Sequence, residues 1–173
     1  AEGAGRARDE PPVNRLRLGI ITAGFLGCAP VAPGTFGTLA GVLFAWLLRD
    51  TTPCPAFVLG LAAVLYAIGR ALGPWTEQHH GKDPGCFVLD EVIGYLITMC
   101  WLDAPSLVAL AVGFLLFRLF DILKPWPVRA MERIPGADGI LLDDVVAGLY
   151  GLGCMAVLRL LLPGEGLWVY NGA

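Results

Sequence analysis

The central apolar run of this chain, residues 87–101, reads FVLDEVIGYLITMCW. It lacks the strict alternation of polar and apolar residues that marks a half-buried strand, so its length favours a helix. Asp90 and Glu91 fall near its start, where the helix dipole favours negative charge and simple capping is one interpretation. Gly94 lies one turn after Asp90 on the same face, where its missing side chain leaves room for a ligand or a neighbouring helix.

Four further apolar runs of similar length join this one to predict an all-α, compact helical bundle. These runs are Thr38 to Leu48, Pro55 to Leu72, Ser106 to Phe120 and Val145 to Leu162. Gly73-Pro74 is expected to break the second of them, because proline disrupts a helix interior. A short helix at the membrane interface is predicted within Leu16 to Gly27. We expect residues 1–17 to form a flexible cytosolic tail and residues 18–173 to form a single helical domain.

The composition predicts a bundle that faces lipid. Apolar residues make up 56% of the chain and charged residues only 16%, against roughly 45–50% and about a quarter in soluble domains. Several runs are shorter than the roughly 20 residues of a full span, so an unusually apolar soluble bundle stays open as the alternative. A formal net charge of -3, without a basic stripe, excludes a nucleic-acid partner. The five cysteines have no metal-binding spacing and are expected to be reduced packing residues.

Charge placement predicts how the bundle is oriented. If the N-terminus is cytosolic and all five runs cross, only Arg49 and Arg159 of the 12 lysines and arginines lie toward the outside. This asymmetry follows the positive-inside rule. The same topology brings four motifs to the cytosolic ends of the helices. They contain Thr35, Asp90-Glu91, Asp121-Lys124 and Asp143-Asp144.

Several carboxylates at one side of a membrane predict a metal site, because uncompensated acids are costly beside hydrocarbon. Asp143 and Asp144 repel each other unless a cation lies near them, although capping of the last helix is the alternative. Oxygen-rich ligand sets suit Mg²⁺. The predicted metal ligands, which are also expected to be catalytic, are Asp90, Glu91, Asp121, Asp143 and Asp144.

The motif Arg118-x-x-Asp121-x-x-Lys124 places three charges on one helical face. A structural ladder of salt bridges is one interpretation. In the functional interpretation Asp121 binds the metal, while Arg118 and a catalytic Lys124 neutralise phosphate oxygens. Pro125 ends the helix just after Lys124 and exposes the ammonium group at a turn.

Two polar segments are predicted to contact the substrate. Residues 30–38 form a rigid turn before a helix, and the free N–H groups of a helix start suit an anion. A second segment is the polar loop before the third helix, where His79 and His80 are either solvated or available for proton transfer. The predicted substrate contacts are Pro33, Gly34, Thr35, Thr38, Lys82, Asp83, Arg118 and Lys124.

Four motifs in this order resemble the phosphatidylglycerophosphatase A family. They are Pro-x-Ala-Pro-Gly-Thr-x-Gly from Pro30, Asp-Pro-x5-Asp-Glu-x-x-Gly from Asp83, Phe-Arg-x-Phe-Asp-x-x-Lys-Pro-x-Pro from Phe117 and Gly-Ile-x-x-Asp-Asp-x-x-Ala-Gly from Gly139. The resemblance implies a helical bundle that removes the terminal phosphate from phosphatidylglycerophosphate, with Mg²⁺, at the bacterial inner membrane. It carries the family's motif positions over to Pro33, Gly34, Thr35, Asp83, Asp90, Glu91, Arg118, Asp121, Lys124, Asp143 and Asp144.

The expected chemistry is hydrolysis of a phosphomonoester by these carboxylates and one or two Mg²⁺ ions, with the active site facing the cytosol. Direct attack by water and a covalent aspartyl-phosphate both remain open. The Asp-x-Asp-x-Thr motif that usually marks the covalent route is absent. A small divalent-cation transporter is the rival from another class, although transport predicts acidic residues deep in both halves of the membrane.

Overall fold

The computed structural model describes residues 14–51, 54–81 and 84–170, and its regular secondary structure over these residues is helical, with no strand among them. Most of the predicted N-terminal tail, residues 1–13, lies outside the described residues. The eight α-helices are α1 Arg15–Ile21, α2 Pro33–Leu48, α3 Cys54–His80, α4 Leu89–Met99, α5 Leu107–Leu123, α6 Val128–Met131, α7 Ala137–Leu161 and α8 Glu165–Trp168. Arg15 to Arg17, which were assigned to the tail, open α1 because the side chain of Asn14 caps its N-terminus.

Helix α4 lies at the centre of the bundle, in contact with α2, α3, α5 and α7. All of its residues except Glu91 are buried. Gly94 lets α4 and α7 approach closely, because a Cβ there would lie 2.6 Å from the carbonyl oxygen of Asp144. Gly148 of α7 faces the backbone of Gly94 in the same way. The room predicted beside Gly94 is therefore filled by neighbouring helices.

The contacts between helices define one end of the bundle that we call the site end. Helices α2, α4 and α7 run in the same direction, since Gly41 meets Tyr95 and Gly151 meets Thr98. Helix α5 runs the opposite way, with Gly113 beside Met99. Helix α3 is antiparallel to α7, because its Gly69 and Gly73 contact Leu141 and Ala137 respectively. The starts of α2, α4 and α7 therefore lie at the same end as the last turns of α3 and α5.

Helix α3 corrects the prediction that Gly73-Pro74 breaks the second run. Pro74 lies inside α3 on an exposed face, and the helix continues to His80. Gly73 and Thr76 are buried on the opposite face, and burial there stabilises the helix against the missing hydrogen bond. His79 and His80 consequently lie in the last turn of α3, and their assignment to a loop was wrong.

Two other helices begin earlier than predicted. Helix α7 starts at Ala137 rather than Val145, so Asp143 and Asp144 lie inside the helix and do not cap it. Helix α2 starts at Pro33 rather than Thr38, because proline is well suited to the first position of a helix. Thr35 and Thr38 are therefore helical residues.

The outer surface of the bundle is rich in exposed apolar side chains. Large exposed examples include Leu43 on α2, Phe57 on α3, Leu115 on α5 and Leu160 on α7. Among the described helices, α3 and α7 are long and apolar enough to cross a membrane, while α2 is apolar but shorter. The predicted count of five spanning helices and the interfacial position of α1 remain predictions.

Candidate metal and phosphate site

Three carboxylates meet at the site end. Asp90 and Glu91 come from the first turn of α4, and Asp144 comes from the second turn of α7. One oxygen from each lies within 4.8 Å of the other two. Asp90 is 9% exposed and Asp144 only 3%. Three like charges held together out of water repel one another strongly, so the arrangement calls for a compensating cation or for protons.

Two oxygens of this cluster are buried without any hydrogen-bond partner in the part of the chain that the structure describes. They are Glu91 Oε2 and Asp144 Oδ1. Buried polar atoms are almost always paired, and an unpaired one commonly marks an ion or a water site. No salt bridge of the described residues reaches Asp90, Glu91 or Asp144. An all-oxygen set of this kind fits Mg²⁺.

The other two predicted metal ligands flank this cluster and already have cationic partners. Asp121 forms an ion pair with Arg118, and its carboxylate is close enough to Asp144 for the two to interact. Asp143 accepts a hydrogen bond of 2.9 Å from Lys124 Nζ. The five predicted carboxylates therefore form a central group of three and an outer pair.

Lys124 reaches Asp143 because of the way α5 ends. Its backbone is left-handed, with φ of 44°, and its N–H donates to the carbonyl of Phe120. This turn directs the ammonium group to Asp143 and Glu132 together. Partial burial lowers the pKa of Lys124, but the hydrogen bonds to the two carboxylates outweigh burial and raise its pKa above the usual range. The side chain is therefore a permanent cation beside the cluster.

The first turn of α2 closes the site. A Cβ at Gly34 would overlap Glu91 Oε1 and would lie 3.1 Å from Arg118 Nη1, so only glycine allows this approach. Ala32 precedes the helix without a side-chain cap. The positive end of the α2 dipole therefore lies beside Glu91 and Arg118. Such a helix start binds anions well.

The remaining predicted substrate contacts have varied positions. Pro33 and the half-buried Thr35 lie in the first turn of α2. Thr38 is fully buried and donates its hydroxyl hydrogen to the carbonyl of Gly34, so it supports the turn from inside. Lys82 and Asp83 lie outside the described residues.

The two histidines of α3 pack against an aromatic side chain. His79 Nδ1 lies 2.8 Å from the carbonyl oxygen of Trp75. The rings of His79 and His80 have centroids 4.7 and 5.9 Å from the Trp75 ring. These contacts account for the position of His79, whereas His80 Nε2 is buried with no hydrogen-bond partner among the described residues.

Glu132 is a site residue that sequence reasoning missed. It directly follows the last residue of α6 and pairs with Lys124 at the end of α5. Its separation of eight residues from Lys124 spans two prolines, Pro125 and Pro127, so no helical period connects the two charges. The one sequence feature that pointed to Glu132 was its closeness to Lys124, which was predicted to be functional.

Comparison with known proteins adds independent information. The family model described as phosphatidylglycerophosphatase A matches residues 19–159. Phosphatidylglycerophosphatase A of Escherichia coli is 37% identical over 79% of this chain and 80% of its own length. The protein of the same name from Haemophilus influenzae is 34% identical, over 82% of this chain and 85% of its own length. A putative phosphatidylinositol-3-phosphatase of Bacteroides thetaiotaomicron is 36% identical, over 81% and 92% respectively. No solved structure matches the chain significantly.

Proposed function

The chain belongs to the phosphatidylglycerophosphatase A family, and from this premise we propose that it hydrolyses the terminal phosphomonoester of phosphatidylglycerophosphate with Mg²⁺. The products are phosphatidylglycerol and phosphate. The observation that carries the proposal is the cluster of Asp90, Glu91 and Asp144, in which two buried oxygens have no hydrogen-bond partner among the residues that the structure describes. A site of this kind beside a helix start suits a metal and a phosphate together.

In this proposal Asp90, Glu91 and Asp144 hold the metal, with Asp121 and Asp143 as the outer pair that completes or orients the site. A bound Mg²⁺ would supply positive charge to the phosphate oxygens and polarise the bond to be broken. The protein's own carboxylates fix the metal position, and their burial keeps competing water away.

The phosphate is bound by the cationic groups that surround the carboxylates. Arg118 and the first turn of α2 lie on one side of Glu91, and Lys124 lies beside Asp143 on the other. Both side chains are held by carboxylates, so they are fixed in place before substrate arrives. Their charge offsets the charge that develops on the transferring group. Arg118, Lys124, Gly34 and Thr35 are therefore the proposed phosphate contacts.

The proposed location is the bacterial inner membrane, with the site end toward the cytosol. Support comes from the apolar exterior of the bundle and from the basic residues around the site end. Lys124, Arg129 and Arg133 line a cavity of about 250 Å³ together with Trp126, which is 82% exposed. Tryptophan and basic side chains are typical of the cytosolic interface, where they attract anionic lipids.

Phosphate release by the purified protein tests this function. With phosphatidylglycerophosphate we expect release in Mg²⁺ and none in excess chelator. Asp90→Asn and Asp144→Asn should each lose about 100-fold or more in activity, since each removes a charge from the metal site. Asp103→Asn is the matched control, because Asp103 is exposed and follows α4 at the opposite end. Full activity in chelator, or in both site variants, would refute the metal assignment.

A related lipid is the second candidate substrate. One relative of similar identity is named a putative phosphatidylinositol-3-phosphatase, and a 3-phosphate on inositol is also a phosphomonoester. A competition assay with both lipids decides between them, by comparing the kcat/KM values. A cation transporter is disfavoured, because the buried acidic side chains of the described residues, Asp90, Asp143 and Asp144, all lie at one end.

A further inference from the structure

A long apolar groove runs along the outside of the bundle between α2 and α5. Its volume is about 590 Å³, which is within the range of roughly 300–1,000 Å³ for small-molecule sites. Four residues of α2, from Leu39 to Trp46, form one wall. Five residues of α5, from Leu107 to Leu115, form the other. Apart from the indole N–H of Trp46, the groove offers no polar side-chain group to a ligand.

One end of the groove opens at the proposed phosphate contacts. Leu39 follows Thr35 by one helical turn on α2, and Phe114 precedes Arg118 by one turn on α5. The two walls meet at Gly34 and Arg118, which are close neighbours. A molecule that lies in the groove therefore has one end beside the side chain that we expect to bind the phosphate.

The other end of the groove is marked by aromatic and basic residues. Trp46 lies about 18 Å from Gly34 along the axis of α2, at 1.5 Å per residue. The guanidinium group of Arg49 lies 4.8 Å from the centre of the Trp46 ring and 4.3 Å from that of Tyr170. Aromatic and basic side chains of this kind are typical of a membrane interface. The groove thus spans the apolar zone between two polar ends.

We propose that this groove binds an acyl chain of the phospholipid substrate and so orients the head group toward Arg118 and the carboxylates. The proposal rests on the proposed function. A hydrocarbon chain is the occupant that needs no polar partner, whereas a polypeptide strand would leave its backbone groups unsatisfied in this groove. A helix of a second copy of the chain is the competing occupant, and the test below includes it.

The groove orients the lipid and adds little affinity. A lipid tail in the bilayer is already in an apolar medium, so moving it into an apolar groove yields little hydrophobic free energy. The benefit comes from fixing the head group relative to Arg118, because misplacement by about 1 Å can cost about 100-fold in rate. The proposal therefore predicts a dependence of kcat on acyl-chain length, with little effect on partitioning into the membrane.

Filling the groove with a large side chain tests the inference. Ala111 and Leu115 are exposed within it, so Ala111→Trp and Leu115→Trp block the groove without entering the core. Ala63→Trp is the matched control, because Ala63 is also exposed and lines a smaller, mainly apolar hollow, of about 290 Å³, between α3, α4 and α7. Activity is measured on short-chain and long-chain forms of the same lipid in mixed micelles, together with the thermal midpoint and the oligomeric state.

We expect the wild type and Ala63→Trp to prefer the long-chain lipid by about tenfold or more in kcat. Both groove variants should lose that preference while they keep their short-chain activity and thermal midpoint. A preserved preference in both variants overturns the groove assignment and leaves the proposed function intact. A change from dimer to monomer in both variants, or loss of activity on both lipid forms, also overturns it. A wild type that releases no phosphate from either form removes the proposed function and the groove assignment together.

Discussion

Replacement of Gly94 by alanine tests whether the closeness of α4 and α7 sets the geometry of the carboxylate cluster. The new Cβ would lie 2.6 Å from the carbonyl oxygen of Asp144 and would also overlap the Phe117 ring. Ordinary contact begins at about 3.4 Å, so the two helices must separate by roughly 3.4 − 2.6 = 0.8 Å at this point. Asp90 lies one turn before Gly94 on the same face, so the separation also moves Asp90 away from Asp144.

This shift is large compared with the tolerance of a magnesium site. Mg²⁺ requires ligand distances of about 2.0–2.1 Å in near-ideal geometry, and a misplacement of about 1 Å can cost about 100-fold in rate. We therefore expect Gly94→Ala to lower kcat by roughly 50-fold. The effect on stability should be smaller, because overpacking costs about 1–3 kcal/mol while the glycine-to-alanine change in a helix returns about 1 kcal/mol.

The assay pairs phosphate release with thermal unfolding, and Gly113→Ala is the matched control. Gly113 is also buried inside a helix, but a Cβ there first meets the flexible side chain of Met99, which can move aside. We expect Gly113→Ala to keep its activity within about twofold. If Gly94→Ala is equally active, the α4–α7 contact does not control the site, and the reasoning is wrong.

Three other predictions follow from the charges around the site. Asp144→Asn should raise the thermal midpoint in chelator, because it relieves repulsion with Glu91 and Asp121. The same variant should lose the rise in thermal midpoint that we expect Mg²⁺ to cause in the wild type. An unchanged response of the midpoint to Mg²⁺ contradicts the ligand assignment. Lys124→Ala should lower the free energy of unfolding by about 1–3 kcal/mol, because it leaves the buried Asp143 unpaired. Lys124→Arg should retain most of the wild-type stability. Equal stability of the two variants in denaturant titrations would count against the ion pair. Arg70→Ala removes an ion pair with Asp138 in which Arg70 is 66% exposed, so we expect a stability change below about 1 kcal/mol and unaltered phosphate release.

The helical class of the fold and the side of the bundle that carries the motifs were readable from the sequence. Both depend on run length and on charge at the ends of runs, which are local properties. The first turn of α4 illustrates this, since Asp90 and Glu91 lie where the apolar run begins. The end of α5 at Lys124 also follows directly from the prolines that come after it.

Helix boundaries that depend on packing were not predictable in the same way. Pro74 reads as a helix breaker, but burial of Gly73 against Ala137 extends α3 beyond it. Residues 137–144 precede the predicted start of the last run at Val145, but they are helical, with Gly139 packed against the carbonyl of Ile134 and Leu141 fully buried. Tertiary burial of one helical face overrides a weak local propensity in both segments.

The division of the five acidic residues into a central group and an outer pair also required three-dimensional information. All five have the same local character in the sequence, as acids beside apolar runs. Asp121 pairs with Arg118, three residues earlier on the same helix, whereas Asp143 of α7 pairs with Lys124 at the end of α5. Only the structure shows which carboxylates have such cations and which do not.

The central group of carboxylates combines residues of α4 and α7, and the ribosome makes these two helices at different times. Asp144 follows Glu91 by more than fifty residues, so a nascent chain that has released α4 carries only part of the cluster. Release of α7 from the ribosome and its docking at Gly94 complete the set. The enzyme proposed here is therefore inert until α7 has been made, and it becomes competent only when α7 joins the helices already in place.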